Sequence, residues 1–256
     1  LKGLTFADEA ELDQAITLFR QAEETINELP TAASVRAIAV GYLPEIYYEK
    51  NEIEKAKHYL DLCFSSSIEI ATPDMVTSLY ITAARISFLE NDSSKLNNIL
   101  DQATLVGMTR GWPRLVNAVG WERIRIAIRK GRIEEASLLR EGLCKKDKFE
   151  EPVGFLPHAV EIEADQVGDL RLKARTQPDR KLLEVIRTEI NRSLADDRLY
   201  RAIHLILIDV IAKQCLGDKN AAMRALRRAL ELGEPGGFIR SILDEGPEVV
   251  NLAEEI

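Results

Sequence analysis

Apolar and polar positions along this chain repeat with a period of about 40 residues. In each repeat a polar turn and a helix start precede a small or aliphatic residue, as in Gly131-Arg-Ile-Glu-Glu-Ala136. These anchor positions, at intervals of 41, 40, 40, 46 and 40 residues, are Ala15, Ala56, Leu96, Ala136, Leu182 and Ala222. Such a period is typical of a solenoid, in which each unit buries its apolar face by stacking on its neighbours. We therefore expect a molecule that holds a ligand or a partner along its surface.

Each repeat divides into two helices. Thr72 is a good N-cap before Pro73, and Pro30-Thr31 predicts the start of a helix that runs to about Lys50. A second helix of that unit continues to about Ala71. Apolar residues at helical spacing after Trp112 indicate an amphipathic helix packed between neighbours. The same reasoning predicts helices at about 74–90, 93–106, 112–129, 132–147, 156–175, 179–195, 197–215 and 219–232.

The regular spacing fails once, between Ala136 and Leu182. The charged stretch 145–154 contains Pro152 and Gly154 and cannot continue the preceding helix, so we place a loop there. Such a loop is either part of a functional face or a tolerated insertion. Towards the end of the chain, we expect Gly233 to close the last repeat helix in a left-handed conformation.

Composition supports an all-α protein and excludes several classes. The chain has 46% hydrophobic and 30% charged residues, with 14 Gly and 9 Pro, which favours long helices around a core. Its formal net charge of -8 argues against a surface that binds nucleic acid. No apolar run reaches the roughly 18 residues of a membrane span, and no secretory signal is visible. The three cysteines, which lack metal-ligand spacing, are Cys63, Cys144 and Cys215. We expect a reduced, cytoplasmic protein.

The anchors resemble those of tetratricopeptide repeats, although the unit here is longer. Units of this length look like those of the large ATP-dependent regulators of the LuxR family, which includes the activator of the maltose regulon. The tail strengthens the resemblance, because Glu234-Pro-Gly-Gly237, Phe238, Arg240 and Leu243-Asp-Glu-Gly246 are similar to the end of that family's helical-repeat domain. The resemblance implies a right-handed superhelical solenoid of antiparallel helix pairs. It also implies a repeat domain at 1–233, of about six pairs with the first incomplete. Residues 234–256 would then be a capping helix and the start of a linker to an absent DNA-binding domain.

Motifs for catalysis and nucleotide binding are missing. The family's nucleotide-binding domain needs a Gly-rich phosphate loop that ends in Gly-Lys-Ser or Gly-Lys-Thr, and neither occurs here. Only nine residues follow Pro247, too few for a helix-turn-helix domain. The histidines, which lie far apart without a catalytic context, are His58, His158 and His204. We expect no enzyme activity, no cofactor and no DNA binding in this fragment, with ATP bound only by the absent nucleotide-binding domain.

One column of residues suggests a binding site. Eleven residues before successive anchors lie Glu45, Arg85, Arg125 and Arg171. This position tends to face the concave groove, where guanidinium groups can grip carboxylates, phosphates or sugar hydroxyls. We call Arg85, Arg125 and Arg171 the arginine column, and propose Tyr80 and Trp121 as aromatic neighbours that stack on a flat ligand. The alternative is structural, because each arginine can pair with Asp or Glu on the next helix.

Two functions from different classes remain open. The first is the effector-sensing and protein-interaction region of a LuxR-family regulator, which receives a small-molecule effector or a regulatory protein in its concave groove and is able to self-associate. The second is a free-standing tetratricopeptide scaffold that binds a segment of a partner protein. A phosphate loop upstream and a helix-turn-helix downstream in the gene are required by the first function and unnecessary for the second.

Overall fold

The described residues of the computed structural model are almost entirely helical. The structure describes residues 2–27, 36, 39–66, 71–144 and 165–256. Within these ranges there is no strand, and the prediction of an all-α protein is confirmed. The helices are α1 (Lys2–Asp8), α2 (Leu12–Asn27), α3 (Leu43–Glu49), α4 (Ile53–Ser66), α5 (Pro73–Leu89), α6 (Ser93–Arg110), α7 (Pro113–Arg129), α8 (Ile133–Cys144), α9 (Asp165–Thr176), α10 (Arg180–Ala195), α11 (Leu199–Cys215), α12 (Lys219–Gly233), α13 (Arg240–Leu243) and α14 (Pro247–Ala253).

The first twelve of these helices form six pairs. Each odd-numbered helix from α1 to α11 contacts the even-numbered helix that follows it, and short turns make the two antiparallel. From α3 onwards each odd-numbered helix also contacts the next odd-numbered one. We call the odd-numbered helices inner and the even-numbered helices outer. Residues 200–212 of α11 are all buried, as expected for an inner helix covered on every side.

The anchor residues lie where the repeat predicts. All six belong to outer helices and are at most 8% exposed. Five residues before most anchors, the chain turns from the inner to the outer helix through a residue with positive φ, between 57° and 81°. These turn residues are Ala10, Asn51, Asn91, Gly131 and Gly217. Glycine and asparagine adopt this left-handed conformation at low cost, which explains the polar turn in each repeat.

Several predicted helix boundaries differ from the structure. The helix predicted at 93–106 runs four residues further, to Arg110. The helix predicted from Pro30 to Lys50 is broken by a turn at 40–42, and α3 begins at Leu43. Pro44 explains this start, because proline lacks an N–H and fits the first turn of a helix. Gly233 does not adopt a left-handed conformation but ends α12 in the helical region, and Gly237 with φ 74° makes the turn. The predicted loop at 145–154 and the start of the helix predicted at 156–175 lie outside the described residues.

The end of the chain joins the second and the last pairs. α13 contacts both α3 and α11, and α14 packs on α11 and α12 with Val249 and Leu252 buried. Residues 247–253, within the segment 234–256 predicted as a capping helix and the start of a linker, form a packed helix. α1 also contacts α11, so the array of inner helices returns to its first pair. No helix in the described part of the chain is long and apolar enough to cross a membrane.

Candidate functional site

The side of the inner helices that faces away from the outer helices, which we call the inner face, carries the arginine column. Arg85, Arg125 and Arg171 lie on α5, α7 and α9, and each is less than 9% exposed. Glu45 holds the matching place on α3, where its carboxylate accepts a hydrogen bond of 2.5 Å from the hydroxyl of Ser78. The repeat therefore brings these four residues to equivalent positions on neighbouring helices.

Two arginines of the column share one buried carboxylate. Glu122 on α7 is fully buried and accepts hydrogen bonds from Arg85 on α5 at 3.2 Å and from Arg125 at 2.6 Å. Burial alone raises the pKa of a carboxyl group, but the charges of Arg125 and Arg85 outweigh it and lower the pKa of Glu122. Glu122 therefore stays ionised and ties α5 to α7.

The second partner of the column comes from the end of the chain. Residues 238–246, which we call the C-terminal strap, lie on the inner face. Asp244 accepts hydrogen bonds from the Tyr48 hydroxyl at 2.5 Å and from Arg129 at 2.8 Å. Arg125 lies 3.8 Å from the same carboxylate, and Arg240 within the strap also pairs with it. Burial raises the pKa of Asp244, but these arginines and the tyrosine hydrogen bond hold it at about 2.

Glu245 makes the third set of contacts. Arg171 donates to Oε1 of its carboxylate from Nη2 at 2.9 Å and from Nε at 3.1 Å, and Nε also lies 3.3 Å from Oε2. Arg175 donates to the Glu245 carbonyl oxygen at 2.7 Å and lies 3.8 Å from the carboxylate. Against the effect of burial, these two guanidinium groups hold the pKa of Glu245 at about 2. Both strap carboxylates are thus ionised and enclosed by arginines.

The strap also contacts α3 and α11 through uncharged donors. The backbone N–H of Ile239 donates to the Glu49 carbonyl at 3.1 Å, and that of Ser241 donates to the Glu49 carboxylate at 2.8 Å. Burial raises the pKa of Glu49 to about 7, although the hydrogen bonds from Ser241 oppose this shift. The Ser241 hydroxyl lies 3.0 Å from Nε2 of His204, whose pKa is lowered to about 3 by burial and by the nearby charge of Arg171.

The two aromatic residues proposed beside the column are packed between helices. Tyr80 is 6% exposed and packs edge-to-face against Phe64 of the outer helix α4 at 5.2 Å. Trp121 is 2% exposed and packs on α9, where a Cβ at Gly168 would approach its ring to 2.3 Å. Both rings therefore fill spaces between helices. Ligand binding by Tyr80, Trp121 and the arginine column stays a prediction, whereas the observed contacts of the arginines are those of the structural alternative.

Sequence reasoning missed a second row of residues one helical turn after the column. Glu49, Arg129 and Arg175 follow Glu45, Arg125 and Arg171 by four residues, the spacing that places two side chains on one face of a helix. That spacing was a usable signal. The strap carboxylates were visible as Asp244-Glu245, but nothing local to them indicates that they reach α7 and α9.

Two larger cavities lie away from the arginine column. One of about 430 Å³ lies between α6, α7 and α8 and is bordered by Leu138 and Leu143. Another of about 390 Å³ lies between α10, α11 and α12 and is bordered by Arg187 and Arg228. In the described ranges, His, Cys, Asp and Glu side chains do not form a group that could hold a metal ion.

Comparison with known proteins identifies a family that covers nearly the whole chain and curated relatives of part of it. The chain matches the family described as MalT-like TPR region over residues 5–256. The serine/threonine-protein kinase PknK of Mycobacterium tuberculosis is 23% identical over 180 residues, and PknK of Mycobacterium bovis matches equally well. The matched stretch takes up 70% of this chain but 16% of the mycobacterial kinase, so the chain spans a small part of these curated relatives. No solved structure gives a significant match.

Proposed function

Because the chain belongs to the family of MalT-like TPR regions, we propose that it is the effector-sensing and protein-interaction region of a LuxR-type ATP-dependent transcription regulator. The observation that carries this proposal is the family match over residues 5–256, which includes both the repeats and the tail. In this role the region receives a signal at the inner face and passes it to other domains of the same polypeptide.

The geometry of the inner face supports a sensing role. It gathers guanidinium groups from α5, α7 and α9 and connects them to the end of the chain through Asp244 and Glu245. A small-molecule effector or a regulatory protein that alters these contacts would therefore alter the position of the C-terminal helices. The match to a small part of a mycobacterial kinase also supports a module that works within a longer protein.

We further propose that this region is neither an enzyme nor a DNA-binding module. It lacks a Gly-Lys-Ser or Gly-Lys-Thr phosphate loop, and its net charge of -8 disfavours contact with phosphates. ATP hydrolysis and promoter binding would then belong to domains elsewhere in a cytoplasmic regulator. A purified preparation of the chain should show no ATP turnover and no salt-dependent retention of DNA, and activity in either assay would contradict this assignment.

The gene that encodes this region tests the regulator function against the scaffold function. A regulator requires a phosphate loop upstream and a helix-turn-helix downstream in the same reading frame. If sequencing on both sides finds neither, the regulator proposal is wrong and the chain is a scaffold that binds a partner segment. If both are present, a promoter-fused reporter should lose induction when the region is deleted in frame.

A further inference from the structure

The C-terminal strap is the part of the inner face whose chemistry most resembles a bound ligand. It consists of a four-residue helix and its flanks, and residues with positive φ border it at Gly237 (74°) and Gly246 (115°). The segments on either side pack on the last helix pair, whereas the strap itself reaches α3, α7 and α9. The strap thus spans the inner face from α11, where it contacts Tyr200 and His204, to α3, α7 and α9.

The charges of the inner face are incomplete without the strap. Within the described part of the chain, the carboxylates that pair with Arg129, Arg171 and Arg175 all come from the strap. The side chains of these three arginines are at most 16% exposed. Removing their partners would leave Arg129 and Arg171 at low exposure without a paired carboxylate, and Arg175 with only the more distant charge of Glu248, which is strongly unfavourable. An inner face from which the strap has moved therefore requires another anion.

The apolar side chains of the strap indicate which other groups a replacement ligand needs besides its negative charges. Phe238 is 4% exposed and its ring centre lies 5.2 Å from that of Tyr200 on α11. Ile242 is buried four residues later, and the two carboxylates follow it after Leu243. The inner face thus recognises an aromatic residue, an aliphatic residue and two adjacent acidic residues along one short peptide.

We propose that the strap is an internal ligand of the inner face, and that the same site binds an acidic peptide segment of a partner protein, which displaces the strap. This inference rests on the proposed function, because it names the chemistry of the partner that the region senses. Displacement moves the chain between Gly237 and Gly246, so that occupancy of the inner face changes the placement of α14. The strap is then an autoinhibitory contact that sets the threshold for the partner.

The test uses a fluorescein-labelled peptide that copies residues 236–247 and a control peptide in which the two acidic residues are Asn and Gln. The peptides are titrated against the wild-type chain and against a chain with Asp244→Asn and Glu245→Gln, whose strap is weakened. We expect the acidic peptide to bind the altered chain at least about tenfold more tightly than the wild type, since two charge-assisted contacts no longer compete. The control peptide should bind the altered chain at least about tenfold more weakly than the acidic peptide does.

Three results would overturn the proposal. The first is a folded altered chain that binds no peptide, and the second is equal binding of the two peptides. The third is displacement of the labelled peptide by inorganic phosphate at a concentration equal to that of the peptide, which would indicate a site for simple anions. If circular dichroism shows that the altered chain has lost helix, Tyr48→Phe takes its place, because it removes one hydrogen bond to Asp244 and leaves every arginine intact.

The failure of this inference is distinguishable from the failure of the proposed function. If no peptide binds, the regulator proposal still stands or falls on the phosphate loop and the helix-turn-helix in the gene. Absence of those domains contradicts the regulator but leaves peptide binding by a scaffold intact.

Discussion

At the scale of single residues, the inner face poses a problem of buried charge. Five arginines of the inner helices, Arg240 of the strap, Glu122 and two strap carboxylates lie at low exposure, and each charge has a partner of opposite sign. Burying such charges costs solvation energy, which the pairing offsets only when the geometry is good. Removing one member is therefore costly, because its partner stays buried and uncompensated. The arginines on the inner face should stabilise the fold far more than those at the surface.

Arg125→Ala tests this point against a matched change in the same helix. The change leaves Glu122 with Arg85 and takes one cation from Asp244, so we expect it to lower the free energy of unfolding by on the order of 3 kcal/mol. Arg123→Ala, which removes a surface pair with Asp101, should cost less than about 1 kcal/mol. Urea unfolding of both variants measures the difference. Equal midpoints would show that the arginine column has no structural role and would favour direct ligand binding.

Glu49 makes the stability of the protein depend on pH. Burial raises its pKa from 4.5 to about 7, so between these values the folded chain holds a proton that the unfolded chain releases. The contribution of Glu49 to stability is therefore present below about pH 4.5 and is lost as the pH rises to about 7. Glu49→Gln stays neutral and accepts the same N–H, so it should exceed the wild type in stability at pH 8 by on the order of 2 kcal/mol.

The same comparison at pH 5 is the control for Glu49→Gln. There both side chains are neutral in the folded state, and the two proteins should have similar midpoints in urea. His204, whose pKa is lowered to about 3, opposes Glu49 between pH 3 and 6.5 but is present in both proteins and cancels from the difference. Asp244 and Glu245 act below about pH 4.5, where their protonation removes stability. A constant difference between pH 5 and pH 8 would contradict the raised pKa of Glu49.

At the scale of the helices, local chemistry defines most boundaries. Three outer helices begin with an aspartate whose carboxylate accepts the N–H of the third residue that follows, at 2.6 to 2.9 Å. These N-caps are Asp92, Asp179 and Asp218. Together with the left-handed turn residues, they explain why sequence reasoning placed α5 to α8 and α10 to α12 within a few residues. Such signals are local, so one repeat displays them without knowledge of the others.

Gly131 allows a clean test of the left-handed turn. A Cβ added there would meet no atom within 4 Å, so Gly131→Ala changes only the backbone preference at φ 70°. We expect a loss of about 1 kcal/mol of stability, because a side chain disfavours this conformation. Gly142→Ala is the matched control, since Gly142 is helical and equally open, and it should stabilise the protein by about 0.5–1 kcal/mol. Stabilisation by both changes would mean that the turn at Gly131 tolerates a side chain.

At the scale of the whole molecule, the sequence predicts the row of helix pairs. It does not predict the closure of that row, in which the C-terminal strap connects α3 to the last pair. The 40-residue period is sufficient for an all-α protein of helix pairs, because it reports contacts between neighbours. The strap contacts join residues 115 and 196 positions apart, as in Arg129 with Asp244 and Tyr48 with Asp244. No period or local motif encodes such a contact. The arginine column was therefore found as a pattern, while the carboxylates that pair with it could be identified only from the fold.

Closure also changes how the molecule should unfold. In an open solenoid each repeat contacts only its neighbours. A destabilising substitution at one end therefore leaves amide hydrogen exchange at the other end unchanged. Here the strap connects α3 to the last helix pair. Phe238→Ala, which removes the ring packed on Tyr200, should therefore speed amide hydrogen exchange in α3 as well as in α11. Val249→Ala in α14 is the control, because it loosens α11 and α12 without touching the strap's contacts with α3. If Phe238→Ala leaves exchange in α3 unchanged, the two ends are independent and the array behaves as an open solenoid.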